Sequence, residues 1–456
     1  MRTKLLLLLF FVNFSIYSQY TNIPDVNFEN KLIALGIDSG STDGQVLTSN
    51  IDKLTSLDVS NSSIVDLTGI QDFVSLTTLN CTSNKLTSLD LSFNPALHSL
   101  SSGYNQLTSL DVSKNTALII LNCTSNKLAT LDISMNTALQ DLYCTSNELT
   151  SLDVSKNTAL QNLTCERNQL TSLDVSKNTA LQQLDFYSNK LTSLDVSQNT
   201  ALTVLNCSSN QLTSLDISIN TALVVLDFYS NQLTSLDISM NTALQILNGS
   251  FNQLTALDVS KNTALTFLNC SYNQLATVDV SKNTALQNLN CSSNLLTSLD
   301  VSINTALKIL YCNTNNLTNL NLKNGNNTIL TFMNCKSNPN LSCIQVDDVS
   351  YSNTNWSTYK DATATYSLSC PSLEITETVF DKITVYPNPA KGELHIDNST
   401  LEKATIYDAL GKLITTTKFT NGSNNNTINL AGFRSGIYYI YLENEGATIV
   451  KKIIVE

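Results

Sequence analysis

The chain contains little charge and very few of the residues that usually perform chemistry. Of its 456 residues, 14% are Asp, Glu, Lys or Arg, 2 are His and 1 is Trp. Because His98 and His395 lie far apart in the sequence, no histidine-based nucleophile or general-base set can be assembled. The sequence also has no Gly-rich phosphate loop, HExxH or CxxC motif. We therefore predict a protein that is not an enzyme, with no catalytic residues, no cofactor and no bound metal.

Basic residues are scarce as well. Lys and Arg total 25 against 37 Asp and Glu, for a formal net charge of −12. Nucleic-acid binding requires a basic face, so we predict none. Eleven of the acids occupy one repeated position, which we call the Asp row: Asp90, Asp111, Asp132, Asp153, Asp174, Asp195, Asp216, Asp237, Asp258, Asp279 and Asp300.

Long hydrophobic runs are also missing, apart from one short run at the N-terminus. Arg2 and Lys4 flank an apolar segment over residues 5–12, with small residues after it. This arrangement is typical of a cleaved secretory signal. We predict a signal peptide over 1–18, cleaved after Ser18. No later stretch approaches the roughly 18 apolar residues of a membrane span, so we predict no transmembrane segment.

What the chain does contain is a unit of 21 residues that recurs without a slipped residue. A fixed period in this range indicates a solenoid, in which each coil buries its apolar face against its neighbours. A leucine opens each unit: Leu86, Leu107, Leu128, Leu149, Leu170, Leu191, Leu212, Leu233, Leu254, Leu275, Leu296 and Leu317. Function is then expected on an extended surface rather than in one cleft.

Each unit has two similar halves. In one, Leu118-x-x-Leu121-x-Cys123, inward apolar residues alternate with outward ones, as a short strand requires. The Asp half, Leu107-x-x-Leu110-Asp-Val112, repeats this pattern. Two extended segments and two turns leave too few residues for an ordinary helix. We predict a mostly β solenoid with little or no helix on its back.

The LxxLxCxxNxL pattern is similar to the leucine-rich repeat consensus, and the 21-residue form with LTSLDVSxNTAL resembles the cysteine-ladder repeats of bacterial internalins. The resemblance covers residues 54–341. It implies that the LxxLxC segments form a parallel sheet on the concave face of the solenoid.

Two further rows follow the same period. An Asn row is expected to turn inward and bond turn backbone groups of its own and the next coil, which would otherwise be buried unpaired: Asn84, Asn105, Asn126, Asn147, Asn168, Asn189, Asn210, Asn231, Asn252, Asn273, Asn294 and Asn315. A cysteine row holds nine of the eleven cysteines: Cys81, Cys123, Cys144, Cys165, Cys207, Cys270, Cys291, Cys312 and, two residues late, Cys335.

For the cysteine row, disulfides between neighbouring coils and a metal site are the alternatives. Side chains in register point the same way, which suits neither a bridge nor four converging thiolates. We favour small, buried, free thiols. Cys343 and Cys370 lie beyond the row, and in an exported protein such a pair predicts a disulfide.

Terminal coils of a solenoid need covering. We predict an N-terminal cap over 19–53, a C-terminal cap over 342–372 and a linker over 373–379. In the first cap, a helix beginning at Asp25 or Asn27 and ending near Gly36 places Phe28, Leu32 and Leu35 on one face. Calcium in the oxygen-rich 38–43 loop or on the Asp row is an alternative, but turns and nearby Ser, Thr and Lys side chains account for these oxygens.

The outward positions of the LxxLxC strands are where the repeat stops being uniform, with aromatics beside amides and few charges. Such a surface suits a protein or a glycan ligand. We predict binding through residues on this face: Tyr143, Asp185, Tyr187, Asp227, Tyr229, Phe267, Tyr272 and Tyr311.

From about residue 380 the repeat gives way to seven short alternating runs separated by turns, which predict a small C-terminal β-sandwich over 380–456. Three sequence motifs resemble those of the C-terminal sorting domain of Bacteroidetes type IX secretion: VYPNPAKG at 385–392, IYDALGK at 406–412 and GIYY at 436–439. The resemblance implies recognition by the type IX machinery and a secreted or outer-membrane-anchored protein.

The sequence thus predicts an exported, non-enzymatic leucine-rich repeat protein with a protein-binding or adhesive sheet face. Two alternatives stay open: a glycan-binding accessory of a polysaccharide-utilising bacterium, and a passive surface or matrix component.

Overall fold

The architecture was determined from a computed structural model. It describes residues 20–370, 384–397, 401–409, 411–419, 425–444 and 447–456. The predicted signal peptide and the 373–379 linker lie outside these residues. The chain divides into two compact units, and the division falls after Cys370.

A parallel sheet of fourteen three-residue strands, here called the long sheet, runs through the first unit. Neighbouring strands pair in register, so that Leu121 lies opposite Leu142 and the same repeat position meets itself in every coil. The strands are Ser56–Asp58, Thr78–Asn80, Ser99–Ser101, Ile120–Asn122, Asp141–Tyr143, Asn162–Thr164, Gln183–Asp185, Val204–Asn206, Val225–Asp227, Ile246–Asn248, Phe267–Asn269, Asn288–Asn290, Ile309–Tyr311 and Phe332–Asn334. The predicted LxxLxC strands and the β-solenoid are confirmed.

The Asp half of each coil differs from the expected second strand. It forms a parallel sheet only at the C-terminal end, over Ser298–Asp300, Asn319–Asn321, Cys343–Gln345 and Thr365–Ser367. In earlier coils side chains replace the backbone ladder: the Asn136 amide donates to the Val112 carbonyl at 3.0 Å and to the Asn115 carbonyl at 2.9 Å. Because asparagine takes these carbonyl oxygens, the backbone of this half does not need a strand partner.

The predicted Asn row bonds turn backbone as expected, but to its own coil and the one before it rather than the next. Asn168 is typical. Its Oδ1 accepts from the Leu149 N–H at 3.0 Å, and its Nδ2 donates to the Cys144 and Cys165 carbonyls at 3.0 Å each. The amide therefore ties each turn to the preceding coil.

A second asparagine row, unforeseen in the sequence analysis, holds the Asp half. All of its members are completely buried: Asn94, Asn115, Asn136, Asn157, Asn178, Asn199, Asn220, Asn241, Asn262, Asn283 and Asn304. Each Nδ2 donates to carbonyls of the preceding coil, whereas none of their Oδ1 atoms has a partner within the described part of the chain. The repeated NT in SxNTAL was the available signal.

The N-terminal cap contains strands Tyr20–Asn22 and Gln45–Leu47 and helices Val26–Ala34 and Thr48–Ile51. Asp25 caps the first helix, accepting from the N–H groups of Asn27 and Phe28. Phe28 and Leu32 are buried as predicted, but Leu35, at the helix end, is 45% exposed. The short 3-10 turn Ile70–Asp72 follows in the first coils.

The last coil carries the 3-10 turns Asn327–Ile329 and Ser357–Tyr359 and the helix Val349–Trp356, with Trp356 1% exposed. Cys343 and Cys370 form the predicted disulfide. The bridge ties strand Cys343–Gln345 to the segment after strand Thr365–Ser367, so it closes the end of the solenoid.

In the part of the second unit that the structure describes, seven antiparallel strands form two sheets. Strands Thr384–Tyr386, Glu393–Asp397 and Asn425–Asn429 form one sheet, and Lys403–Asp408, Leu413–Lys418, Gly436–Asn444 and Ala447–Val455 form the other. Leu394 and Ile428 of the first sheet share a core with Ile406, Ile440 and Ile453 of the second. This is the small β domain that the alternating runs predicted. Among the described residues of both units, no helix has the length and apolar character needed to cross a membrane.

Candidate binding surface on the long sheet

The long sheet presents its outward side chains in columns, because equivalent positions stack coil upon coil. We call this side the outer face. The central residue of each strand, such as Leu205, points into the core, whereas Val204 and Asn206 on either side of it are only partly buried. The residue two places beyond each strand, such as Ser208, forms a further column along the rim.

All eight predicted site residues lie along this face. Phe267 begins its strand, and Tyr143, Asp185, Asp227 and Tyr311 end theirs. Tyr187 and Tyr229 occupy the rim column. Tyr272 lies one residue further on, at a left-handed φ of 53°. The fold thus brings the residues to one surface, but it separates them into distinct groups along the sheet.

The first group centres on Tyr187 and Tyr229. These rings belong to coils that are not adjacent, and Ser208 occupies the equivalent position in the coil between them. The ring centroids are nevertheless only 5.9 Å apart. The Ser208 hydroxyl donates to Asp227 Oδ1 at 2.6 Å. Asp185 accepts from the Tyr187 N–H at 3.0 Å and from Asn206 Nδ2 at 3.0 Å. The two tyrosines and the two carboxylates therefore form one patch that is connected by ring contacts and hydrogen bonds.

A carboxyl pair joins this patch to the preceding coil. Burial, together with the neighbouring Asp185 carboxylate, raises the pKa of Glu166 to about 7, and the two carboxyl groups are hydrogen-bonded. Burial likewise raises the pKa of Asp185. The Arg167 guanidinium carbon lies 5.8 Å from the Tyr187 ring centroid, so this ring accepts a cation on its face. Glu166 and Arg167 were not among the predicted site residues.

The second group is aromatic and uncharged. Tyr272 stacks on Phe251 with centroids 4.1 Å apart and planes 9° from parallel. Both rings are about half exposed, at 51% and 52%. Phe267 begins the strand just before Tyr272, and the nearby strand-end residues are Asn248 and Asn269.

The remaining predicted residues lie toward the two ends. Tyr311 contacts Phe332 at 4.9 Å, and Phe332 contacts Tyr359 at 5.0 Å between centroids. Phe332 and Tyr359 were missed because the last coil departs from the 21-residue spacing. At Tyr143, burial and the adjacent Asp141 raise the pKa of the phenol.

The Asp row lies on the other half of each coil, where its carboxylates cap turns. Each carboxylate accepts from the N–H of the serine two residues later, as Asp111 does from Ser113 at 2.8 Å. This backbone bond lowers the pKa of Asp111. Among the described residues, which include the Asp row and the 38–43 loop, no group of three or more His, Cys, Asp or Glu side chains is placed to hold a metal ion.

The nine cysteines of the row are all free and buried. Burial raises the pKa of the Cys123 thiol to about 12. These thiols act as small apolar core residues, as predicted.

Comparison with known proteins agrees with this geometry. Residues 384–456 match the family described as secretion system C-terminal sorting domain. The functional domain of InlJ from Listeria monocytogenes, which includes a cysteine ladder, is 30% identical and aligns with a TM-score of 0.62 over 96% of this chain and 99% of that one. A leucine-rich repeat protein of Leptospira interrogans is 25% identical, with a TM-score of 0.57 over 70% of this chain and 94% of its own.

The fold and the ladder define an internalin-type leucine-rich repeat protein, and the chain belongs to this family. It ends in a type IX sorting domain, so it is an exported protein that is attached to the cell surface or secreted. Internalin J of Listeria monocytogenes is 45% identical over 71 residues, which are 16% of this chain. That match spans only 8% of the length of internalin J.

Proposed function

We propose that the protein binds another macromolecule through the outer face of the long sheet, without catalysing a reaction. The observation that carries the proposal is the concentration of partly exposed aromatic rings on one surface. Tyr187 with Tyr229, Phe251 with Tyr272, and Tyr311 with Phe332 form paired contacts there. Aromatic side chains supply most of the energy at binding hot spots, because they bury large areas with few rotatable bonds.

Protein or adhesive binding is the first candidate, because the tyrosine patch combines aromatic, apolar and charged groups within a few coils. Glycan binding is the second candidate, supported by the stacked Phe251–Tyr272 pair beside strand-end amides. The domain division into 19–53, 54–341, 342–372, 373–379 and 380–456 belongs to the same proposal, with the solenoid as the binding module.

The test uses the full chain on arrays of surface proteins and of glycans. We expect retention by a defined subset, and we expect the joint Ala substitution of Tyr143, Tyr187, Tyr229 and Tyr311 to abolish it. Binding that survives this substitution when Phe251 and Tyr272 are also replaced with Ala contradicts the assignment to the outer face.

The matched control replaces four exposed side chains in the turns of the Asp half with Ala. Phe93, Met135, Ile219 and Met240 are between 44% and 63% exposed and lie outside the long sheet. We expect this control to bind as the unmodified chain does. Absence of retention on both arrays, with the chain folded, favours the passive surface component.

A further inference from the structure

One stretch of the outer face combines three columns of different chemistry. Its first column is aliphatic, with Val204 and Val225 partly buried and Ile246 40% exposed. The strand-end column supplies the carboxylates of Asp185 and Asp227. The rim column supplies the rings of Tyr187 and Tyr229. We call these residues the docking stretch: Asp185, Tyr187, Val204, Val225, Asp227 and Tyr229.

The charge of this stretch is negative and largely uncompensated. Asp185 and Asp227 form no salt bridge within the described ranges. Their hydrogen-bond donors are the Tyr187 N–H, the Asn206 amide and the Ser208 hydroxyl, together with the Glu166 carboxyl group at Asp185. The nearby Arg167 lies against the Tyr187 ring, at the edge of the stretch. Partly buried carboxylates that form no salt bridge favour a partner that brings a cation.

The spacing of the carboxylates sets a condition on that partner. Asp185 and Asp227 occupy equivalent positions two coils apart, and adjacent parallel strands are about 4.8 Å apart, so the two positions are separated by about 9.6 Å. Three residues of an extended polyproline-type chain span about 9.3 Å. Cationic side chains three residues apart in such a chain therefore face both carboxylates, with apolar residues between them.

We infer that the docking stretch binds an extended segment of a protein partner in which a lysine or arginine recurs at every third residue, with apolar residues between. The cations pair with Asp185 and Asp227, while the apolar residues pack on the tyrosine pair and on the valine column. The inference rests on the proposed function and specifies the chemistry of the partner. Beyond Ile246 the strand ends are Asn248, Asn269 and Asn290, so this selectivity belongs to the docking stretch and not to the whole face.

The test measures binding of a fluorescent peptide of repeated Lys-Pro-Pro units to the full chain by fluorescence anisotropy. Counterparts with Glu or Gln in place of Lys have the same backbone preference. We expect binding of the lysine peptide alone, weakening as salt rises, because the paired charges are partly solvent-exposed. We expect Asp185→Asn with Asp227→Asn to weaken it about fivefold to tenfold.

The control variant, Asp111→Asn with Asp132→Asn, removes the same two charges from the Asp row. This control distinguishes binding at the docking stretch from general electrostatic attraction of the lysine peptide to an acidic protein. We expect it to bind the lysine peptide with the affinity of the unmodified chain. Tyr229→Ala provides a second variant of the stretch and is expected to weaken binding as well. Equal loss in both Asn variants overturns the inference, as does equal binding of the Glu peptide.

The result also distinguishes the inference from the proposed function. If the lysine peptide does not bind while the arrays still retain the chain in a tyrosine-dependent way, the inference is wrong and the proposed function stands. Retention by glycans alone identifies the second candidate function and overturns the basic-partner inference. If the lysine peptide does not bind and the arrays do not retain the chain, both the inference and the proposed function are wrong.

Discussion

At the scale of single residues, the solenoid depends on side chains that fit their counterparts in the neighbouring coil. Phe228 fills a position that elsewhere holds cysteine, and its ring extends into the next coil, where the equivalent residue is Gly249. Both are fully or nearly fully buried within the repeat. The glycine leaves the space that the ring occupies.

We predict that Gly249→Ala lowers the free energy of unfolding by about 1 to 3 kcal/mol through overpacking. A Cβ at this position would overlap the Phe228 ring, with Cε2 2.7 Å and Cε1 2.9 Å away. Denaturant unfolding measures the effect. The double variant with Phe228→Leu should lose less than the sum of the single variants, because the smaller side chain relieves the clash. Strictly additive losses would contradict this explanation.

The carboxyl pair of Glu166 and Asp185 predicts that the stability of the fold depends on pH. The folded-state pKa of Glu166 is about 7 against an ordinary value of 4.5, so folding holds its proton more tightly. The stability this confers is complete below about pH 4.5 and is lost as the pH rises through about 7. The Tm of the unmodified chain, relative to Glu166→Gln, should therefore fall over this interval.

A suitable comparison is Asp132→Asn. The pKa of Asp132 is lowered by the backbone N–H of Ser134, so its contribution is present above the ordinary value of 3.8 and is lost only as the pH falls further. The two variants should thus change in separate pH ranges. A Glu166→Gln difference in Tm that stays constant from pH 4.5 to 7 would refute the raised pKa of Glu166.

At the scale of elements, the two halves of each coil are held by different means. The long sheet is bonded through backbone ladders, and the Asp half through the second asparagine row, which a parallel sheet joins from Ser298 onward. This shorter sheet, Ser298–Asp300 to Thr365–Ser367, ends at the disulfide. The bridge therefore secures the end of the solenoid where backbone pairing adds to the asparagine bonds.

We predict that replacing Cys343 and Cys370 with Ala loosens this end selectively. The bridge closes a separation of 27 residues, for which the chain-entropy description gives about 3 to 4 kcal/mol. Hydrogen exchange should quicken in Cys343–Gln345 and Thr365–Ser367 and stay unchanged in early strands such as Ile120–Asn122. Reductant should reproduce this effect in the unmodified chain and have none in the variant. Uniform acceleration along the solenoid would argue against a local cap.

At the scale of the whole molecule, the chain joins a leucine-rich repeat solenoid to a sorting domain, and each has its own hydrophobic core. We predict that a chain lacking residues 384–456 is not delivered to the surface or the medium when produced in a bacterium with a type IX system. Fractionation with antibody detection measures this. The full chain with Tyr187→Ala and Tyr229→Ala should still be delivered, because those residues belong to the solenoid. Surface delivery of the truncated chain would contradict the role of the sorting domain.

The sequence by itself determined the features that depend on one coil meeting its neighbour. The 21-residue period placed Leu121 opposite Leu142, made the Asn168 amide a link between coils and buried Cys123 as a free thiol. Alternation within short runs located the seven strands of the C-terminal unit. These inferences succeed because every coil repeats the same local geometry, so a single unit describes most of the contacts.

Only the tertiary structure decided the contacts that depend on the direction in which particular side chains point between coils. Tyr187 reaches Tyr229 across a coil, Asp185 and burial raise the pKa of Glu166, and Phe228 occupies the space at Gly249. The buried asparagines that replace a backbone ladder in the Asp half are of the same kind. A repeat pattern specifies where each side chain lies on the coil but not the direction in which it points. That direction is set by the size and hydrogen bonding of neighbours 21 or more residues away in the sequence.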